Sequence, residues 1–207
     1  VTAGPTQEAM DPVRFLSNHS TGKMGYAIAA RAAMRGADAT LVSGPTALDT
    51  PHGVTRVDIV SARDMYDAVT SRAPEQDFII KAAAVGDYRP AQTADEKLKK
   101  GDGEMNIELT RNPDILAALG KDKKPGQLLC GFAMETQNLL DNAESKLRCK
   151  NCDMLVANSL RDKGAGFGTD TNVATLLFKD GHRETPPMMS KEDLADLILD
   201  RLLSMSN

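Results

Sequence analysis

Between the strand-like segment Val1-Thr-Ala-Gly4 and an alanine-rich segment, the chain reads Asp11-Pro-Val-Arg-Phe-Leu-Ser-Asn-His-Ser-Thr-Gly-Lys-Met-Gly25. Open α/β sheets bind phosphorylated ligands at such a loop, because the free N–H groups of the following helix point at the anion. Gly22-Lys23 is followed by methionine and lacks the upstream glycine of a P-loop, and Gly22 with Gly25 does not complete G-x-G-x-x-G. The segment therefore predicts a specialised loop for an anionic, phosphorylated ligand.

The composition is that of a chain able to bury one substantial core. With 207 residues, 41% of them hydrophobic, we expect a single domain over residues 1–207, with two small domains as the alternative. A net charge of -4 and 4% aromatic residues argue against nucleic acid as a partner. No apolar run approaches the roughly 20 residues that span a bilayer, and no secretory leader is visible. We expect a cytoplasmic protein without membrane partners and, because the chain starts at Val1 in a strand, a piece of a longer polypeptide.

Short apolar runs alternate with helical patterns, which indicates βαβ units. The predicted fold class is α/β, a Rossmann-like, doubly wound and mostly parallel sheet. The pairs Ser61 with Asp64 and Ser190 with Asp193 predict two helix starts. The expected strands cover residues 1–3, 39–43, 54–60, 78–85, 128–131 and 154–157, and the expected helices cover residues 22–35, 61–72, 137–149, a stretch from 112 onward and a final stretch after 190.

One segment departs from this alternation. Residues 88–103 are polar, flanked by glycine and rich in lysine, and they lie between a buried strand and the β-like residues 105–109. We expect a mobile, lysine-rich flap there, with an ordinary solvated face as the alternative. Residues 176–183 fit either an edge hairpin or a dimer contact.

The three cysteines do not form a disulfide framework, and Cys149-Lys-Asn-Cys152 holds the only close pair. Zinc would need two more ligands, and the three histidines show no metal-binding spacing. The favoured interpretation is that Cys149 ends a helix and Cys152 opens the next strand.

Polar residues follow several predicted strands directly, and in a doubly wound sheet the ligand lies beyond the carboxyl ends of the strands. Each of these residues has a simpler explanation as a cap, a core residue or a turn, but their common placement favours a binding site. They are the loop 14–23, Gly86-Asp87-Tyr88, residues 132–135 and Asn158-Ser159.

One helix start and one pair of lysines also suit a phosphate. Asn112 is the expected N-cap of a helix with Pro113 in its first turn; Asp114 would repel a phosphate there, unless it caps the helix or holds a metal ion. Lys146 and Lys150 share a helix face, which is unfavourable by a few tenths of a kcal/mol unless an anion lies between them. Alternatively, both lysines stabilise the C-terminal end of the helix dipole.

The motifs together carry a family resemblance. They are residues 2–6, 11–25, 82–88, 96–100, 112–115 and 131–135, spread over the whole chain. They resemble phosphopantothenate cysteine ligases, also called phosphopantothenoylcysteine synthetases. The resemblance implies that CTP, with Mg²⁺ or Mn²⁺, activates the carboxylate of 4'-phosphopantothenate to an acyl-cytidylate with release of pyrophosphate, and that the amine of L-cysteine then forms the amide. It also implies a homodimer with shared active sites and fusion to a flavin-dependent decarboxylase.

The resemblance assigns roles to individual residues. Lys97 is the catalytic flap lysine, and Asn18 serves the conversion of the acyl-cytidylate to product. Arg14 reaches the substrate of the neighbouring subunit. The other substrate-binding positions are Ala83, Ala84 and Asp87, with Asp87 also the candidate metal ligand. The nucleotide-binding positions are Lys81, Asp87, Lys97, Pro113, Asp114, Ile115, Leu116, Phe132, Lys146 and Lys150.

Other functions share the coarse pattern. A dinucleotide-dependent oxidoreductase is the main alternative, but its glycine fingerprint is missing and the second strand ends in Ser43-Gly44-Pro45 instead of an acidic residue. A non-catalytic binding module is a third possibility. The sequence also departs from the family pattern at Lys81, where a small residue is common, and at Gln7 and Ser159, where arginine and aspartate are frequent. The choice between CTP and ATP is not decided by residue spacing.

Overall fold

The computed structural model describes residues 1–100, 104–135, 139–159 and 168–206, and only the backbone at Glu135 and Ser159. The predicted flap residues 101–103 and the expected helix start at Gln137 lie outside the described residues. Within the described ranges, no helix is both long and apolar enough to cross a membrane.

The described helices are α1 Lys23–Met34, α2 Ala62–Arg72, α3 Ile115–Lys121, α4 Leu139–Cys149 and α5 Lys191–Met205, with a short 3-10 turn at Ala73–Glu75. The described strands are β1 Thr2–Ala3, β2 Glu8–Ala9, β3 Phe15–Leu16, β4 Ala39–Ser43, β5 Val54–Asp58, β6 Phe78–Lys81, β7 Tyr88–Pro90, β8 Leu109–Arg111, β9 Leu128–Glu135, β10 Met154–Ser159, β11 Thr171–Asn172, β12 Ala174–Phe178, β13 Arg183–Glu184 and β14 Met189–Ser190.

The main sheet of the described part of the chain has the order β13-β12-β10-β9-β6-β1-β4-β5. All strands from β10 to β5 run parallel. At the β10 edge, β12 and β13 add an antiparallel hairpin, which confirms the edge-hairpin interpretation of residues 176–183. The chain winds outward from β1 to β5 and then returns to β6 and winds the other way. The prediction of a Rossmann-like, mostly parallel sheet is confirmed, and its switch point lies between β1 and β6.

Helices cover both faces of this sheet, and the alternation of side chains along each strand decides which helix each residue meets. Ile79, Leu129 and Leu155 pack in one core cluster with residues of α2, α3 and α4. Their neighbours Ile80, Cys130 and Val156 pack in a second cluster with residues of α1 and α5. Because both faces are buried, these strands appear in the sequence as continuous apolar runs.

The predicted helix starts at Ser61 and Ser190 are confirmed. The Ser61 hydroxyl accepts from the Asp64 N–H at 3.1 Å, and the Asp64 carboxylate accepts from the Ser61 N–H at 2.9 Å. Ser190 accepts from the Asp193 N–H at 3.0 Å. Each hydroxyl satisfies one of the N–H groups that the first helical turn leaves without an intrahelical partner.

The prediction of Asn112 as the N-cap of α3 was wrong. Asp114 caps this helix, and its Oδ1 accepts from the Ala117 N–H at 2.9 Å. Asn112 instead joins two loops: its side-chain amide donates to the Gly86 carbonyl at 2.8 Å, and its N–H donates to the Asp87 carbonyl at 2.8 Å. Helix α3 therefore starts two residues later than expected.

The region after β6 also differs from the expected long strand. β6 ends at Lys81, and residues 82–87 form a loop with an isolated bridge between Pro5 and Ala84. Beyond it, β7 and β8 pair with each other as a separate antiparallel ribbon. The described lysine-rich residues 91–100 between them contain neither helix nor strand, and their mobility stays a prediction.

Candidate active site

Two adjoining cavities open at the carboxyl ends of the central strands. The first, of about 220 Å³, lies between the loop that starts α1, the loop after β6 and the end of β9. The second, of about 350 Å³, lies between the loop after β6 and the start of α3. Lys81, Val85, Asp87 and Lys146 line both cavities. These residues therefore stand between the two spaces, at the switch point of the sheet.

Glycines allow the α1 loop to approach β1 closely. Gly22 has a φ of 81°, a conformation that favours glycine, and it is the N-cap of α1. A Cβ at Gly25 would lie 2.6 Å from both the Ala3 Cβ and the Thr2 carbonyl oxygen. No side chain within the described ranges caps α1. The first N–H groups of the helix are thus presented at the wall of the first cavity.

Four lysines give the first cavity a positive lining: Lys23, Lys81, Lys146 and Lys191. Burial lowers the pKa of Lys81 to about 8, and the nearby Lys146 ammonium acts in the same direction. Burial also lowers the pKa of Lys191, again helped by a neighbouring lysine, Lys23. Burial thus disfavours the charged forms of Lys81 and Lys191, and an anionic ligand would stabilise both, whereas Lys23 is already paired with Asp170 at 2.7 Å.

The wall of the first cavity also holds an unsatisfied acceptor. Asn158, at the end of β10, lines the cavity and is only 7% exposed. Its buried Oδ1 has no hydrogen-bond partner within the described part of the chain. Buried polar atoms normally have partners, so this oxygen is available to a donor group of a ligand.

Carboxylates and lysines are arranged differently around the second cavity. Asp87 is exposed and lines both spaces. Asp114 caps α3 and forms an ion pair with Lys150 at 2.8 Å. Lys146 donates to the Phe132 carbonyl at 3.2 Å. Of these two lysines, Lys146 on α4 therefore borders the cavities, and Lys150, directly after the end of α4, is held by a carboxylate.

Comparisons with known proteins decide the family. The family model of the DNA/pantothenate metabolism flavoprotein C-terminal domain matches residues 1–205. The chain belongs to this family. This match also confirms the resemblance to phosphopantothenate cysteine ligases.

Relatives and a solved structure agree with this assignment. The "Coenzyme A biosynthesis bifunctional protein CoaBC" of Bacillus subtilis (strain 168) is 50% identical over 207 residues, which are 100% of this chain and 51% of the relative. The protein of the same name from Escherichia coli (strain K12) is 46% identical over 208 residues, with 99% and 51% covered. The crystal structure of the C-terminal domain of a CoaBC protein superposes with a TM-score of 0.84 at 45% identity and covers 99% of this chain and 92% of that one. The chain thus spans about half the length of these full-length relatives.

Most positions that the resemblance assigns to the ligase site border the two cavities. The first cavity is lined by Lys81, Ala83, Ala84, Asp87, Phe132 and Lys146. The second is lined by Lys81, Asp87, Pro113, Asp114, Ile115, Leu116 and Lys146. Four assigned residues do not line either cavity: Arg14, Asn18, Lys97 and Lys150.

Asn18 lies directly behind the wall of the first cavity. Its side-chain amide donates to the Ala84 carbonyl at 2.6 Å, and its Oδ1 accepts from the Ser20 N–H at 3.1 Å. Since Ala84 and Ser20 both line the first cavity, Asn18 joins the α1 loop to the loop after β6. Arg14 and Lys97 lie outside the linings of both cavities. Lys97 is exposed, and Arg14 donates to the carbonyl of Leu98, the residue after Lys97, at 2.8 Å.

Sequence reasoning missed Lys191 and Asn172, which line the first cavity. Lys191 is 7% exposed and donates to the Thr171 carbonyl at 3.1 Å, while Asn172 is 5% exposed. A signal for Lys191 was present: it follows the N-cap Ser190, where the helix dipole disfavours a cation. A lysine in that position indicates a compensating interaction elsewhere.

None of the three cysteines, all of which the structure describes, lines either cavity. Cys149 ends α4, as expected, and Cys152 is buried. Burial raises the pKa of Cys152 to about 12, so its thiol is unreactive. Among the described residues, no group of three metal-ligating side chains is found.

Proposed function

We propose that this chain is the ligase half of a bifunctional coenzyme A biosynthesis protein and that it joins 4'-phosphopantothenate to L-cysteine with consumption of CTP. The observation that supports this most is the pair of adjoining cavities with Lys81 and Lys146 between them. An enzyme that brings a carboxylate to a triphosphate must neutralise two anions at one boundary. Two partly buried lysines at that boundary suit this requirement.

The two substrates occupy the two cavities in this proposal. CTP binds in the second cavity, against residues 113–116 of the assigned nucleotide site. Phe132, which is also assigned to the nucleotide, lines the adjoining first cavity. 4'-Phosphopantothenate binds in the first cavity, where Lys191 and the N–H groups of α1 receive its anionic groups. The unsatisfied Asn158 oxygen accepts from a donor group of this substrate.

The reaction then proceeds in two steps. A carboxylate oxygen of 4'-phosphopantothenate attacks the α-phosphorus of CTP, the bond to the oxygen of the β-phosphate breaks, and pyrophosphate leaves with the electron pair. The amine of L-cysteine next attacks the acyl carbon, CMP leaves, and the nitrogen loses a proton. Lys81 and Lys97 stabilise the charge of the first step, and Asn18 orients the acyl group for the second.

A divalent cation, Mg²⁺ or Mn²⁺, fits the residues present. Mg²⁺ in nucleotide sites is commonly held by one or two carboxylates together with phosphate oxygens. Asp87 lines both cavities and is exposed, whereas Asp114 is engaged by Lys150. Asp87 is therefore the proposed ligand, and a bound ion would neutralise part of the triphosphate charge.

The proposed assembly is a homodimer that is fused to a flavin-dependent decarboxylase in the longer polypeptide. Exposed apolar side chains on two neighbouring ribbons support the dimer: Val13 and Phe15 around β3, and Tyr88 and Leu109 on β7 and β8. Arg14, whose side chain is 38% exposed, lies at the same surface. This position suits a residue that reaches a neighbouring subunit.

Pyrophosphate release tests the proposal. The chain is incubated with magnesium and 4'-phosphopantothenate, with either CTP or ATP, and with or without cysteine. We expect release with CTP and a cysteine amide when cysteine is present. A folded sample that releases no pyrophosphate with either nucleotide would favour a non-catalytic binding module, whereas release with ATP alone would overturn the nucleotide assignment.

A further inference from the structure

Asp11 is a buried carboxylate with an unusually complete set of donors. Its side chain is 0% exposed. Oδ1 accepts from the Val13 and Arg14 N–H groups, both at 2.8 Å. Oδ2 accepts from the Arg14 guanidinium through Nε at 3.0 Å and through Nη2. Oδ2 also accepts from the N–H of Leu98, 87 residues away in the sequence, at 3.0 Å.

Leu98 is bound at both of its peptide groups. Its N–H donates to Asp11, and its carbonyl accepts from Arg14 Nη2 at 2.8 Å. Asp11 and Arg14 thus form a two-point clamp on one residue of the lysine-rich segment. The hydrogen bonds from Arg14 hold the pKa of Asp11 well below its usual range, so the carboxylate stays charged at neutral pH.

Two further contacts fix the same segment to the same loop. The Ala94 N–H donates to the Met10 carbonyl at 3.0 Å, and the Thr93 hydroxyl donates to the Ala9 carbonyl at 3.2 Å. Residues 91–100 have no helix or strand of their own, so these contacts decide where the segment lies. Lys97 is the immediate neighbour of the clamped Leu98, and consecutive Cα atoms are only about 3.8 Å apart.

We propose that Asp11 is a positioning residue for the ligase reaction: through Leu98 it holds the backbone of Lys97 in the place from which the lysine acts on the first half-reaction. This inference rests on the proposed function. It gives Asp11 a role that the family resemblance did not assign. It also gives Arg14 a role within its own subunit, besides the expected one in the neighbouring subunit.

The first test uses Asp11→Asn and Lys97→Ala, singly and together. The amide can place an NH₂ group toward the Leu98 N–H, so the clamp opens while the size of the side chain is kept. We expect pyrophosphate release to fall about 10- to 100-fold in Asp11→Asn, from the loss of charge-assisted hydrogen bonds. In the Lys97→Ala background the same substitution should have little further effect, because Asp11 acts through Lys97. An equal loss in both backgrounds would overturn the proposal.

A matched control is Asp95→Asn, an exposed carboxylate of the same segment, which should leave the rate unchanged. If Asp11→Asn does not fold, Leu98→Pro removes the N–H that donates to Asp11 and also restricts the backbone of Lys97, and Leu98→Ala controls for the lost side chain. We expect a loss of rate with proline and not with alanine. Equal rates for the two variants would contradict the clamp.

Amide hydrogen exchange at Leu98 separates this inference from the proposed function. We expect the Leu98 N–H to exchange at least about 10-fold faster in Asp11→Asn than in the wild-type chain, because its acceptor is lost. Unchanged exchange would overturn the clamp whatever the enzyme does. Faster exchange in a chain that releases no pyrophosphate would keep the clamp and reject the ligase assignment.

Discussion

At the scale of single residues, Lys81 stands out because it borders both cavities and has a lower pKa than an ordinary lysine. Burial and Lys146 lower its pKa to about 8, while Asp114 and Asp87 act in the opposite direction. The amine is therefore mostly charged at pH 7 and mostly neutral at pH 9. A bound triphosphate would restore the charge, since a nearby anion favours the protonated form.

This gives a prediction about pH. We expect CTP to bind more weakly as the pH rises through 8, by up to about 10-fold per pH unit, and to take up protons when it binds near pH 8. Lys81→Arg keeps its charge at pH 9 and should bind CTP with less pH dependence. Calorimetry in two buffers of different ionisation enthalpy measures the uptake. Lys124→Arg, far from the site, serves as the control, and equal proton uptake in wild type and Lys81→Arg would reject the role of Lys81.

Asn18 carries the second prediction at this scale. Its contact with the Ala84 carbonyl places it next to the first cavity, away from the α3 side of the site. We expect Asn18→Ala to release pyrophosphate from CTP at a nearly unchanged rate and to form the cysteine amide about 100-fold more slowly, because an orienting amide is lost from the second step. Rapid-quench analysis of both partial reactions measures this. Loss of both steps together would instead indicate that the Ala84 loop has collapsed.

At the scale of elements, the close packing of α1 against β1 depends on Gly25. An added Cβ would lie 2.6 Å from the Ala3 Cβ, so Gly25→Ala must push the helix away from the strand. We expect a loss of about 1–3 kcal/mol in the free energy of unfolding, together with weaker binding of 4'-phosphopantothenate, because the helix start moves.

Gly36→Ala is the matched control for this prediction. Gly36 follows α1 with a φ of 87°, and a Cβ there would contact nothing within 4 Å. The left-handed conformation alone should cost about 1 kcal/mol, without any change in substrate binding. Denaturant unfolding and equilibrium binding of both variants check the pair. An intact affinity in Gly25→Ala would show that the α1 loop does not shape the site.

The regular elements were predictable because their signals are local. The apolar runs at 39–43 and 154–157 and the serine caps of α2 and α5 each depend on residues close in sequence. The wrong predictions arose where a tertiary contact, and not the local sequence, determines the local structure. Asn112 has the chemistry of an N-cap but is bound to the loop after β6, so Asp114 takes that place. β7 and β8 are three residues each, too short for a periodic pattern.

The candidate site was predictable from the sequence to a similar extent as the fold. The sheet order brings the carboxyl ends of β6 and β9 together, and the residues that follow them line the cavities as the pattern implies. Lys191 was missed because it comes from a helix at the far end of the chain and reaches the cavity only through packing. The contact of Asp11 with Leu98 joins residues 87 positions apart, and no local pattern could have indicated it.

At the scale of the whole molecule, the proposed homodimer requires an interface between two copies of the chain. A stable interface needs a buried apolar centre, and the exposed Val13, Phe15, Tyr88 and Leu109 supply one on neighbouring ribbons. The clamp of Asp11 and Arg14 lies in the same loop as Val13. An interface there would bring the lysine-rich segment of one chain close to the other chain, which is the arrangement that a shared active site requires.

Phe15→Glu tests this assembly. Phe15 is 47% exposed, and a charge in the centre of an apolar interface should shift the chain from dimer to monomer in sedimentation experiments at micromolar concentration. Met34→Glu, at a 73% exposed residue on α1, should leave the dimer intact. If the active sites are shared, the monomeric variant should also lose amide formation, since Arg14 of the second subunit is no longer supplied. A monomer with full activity would confine the site to one chain and leave Arg14 with only its contacts to Asp11 and Leu98.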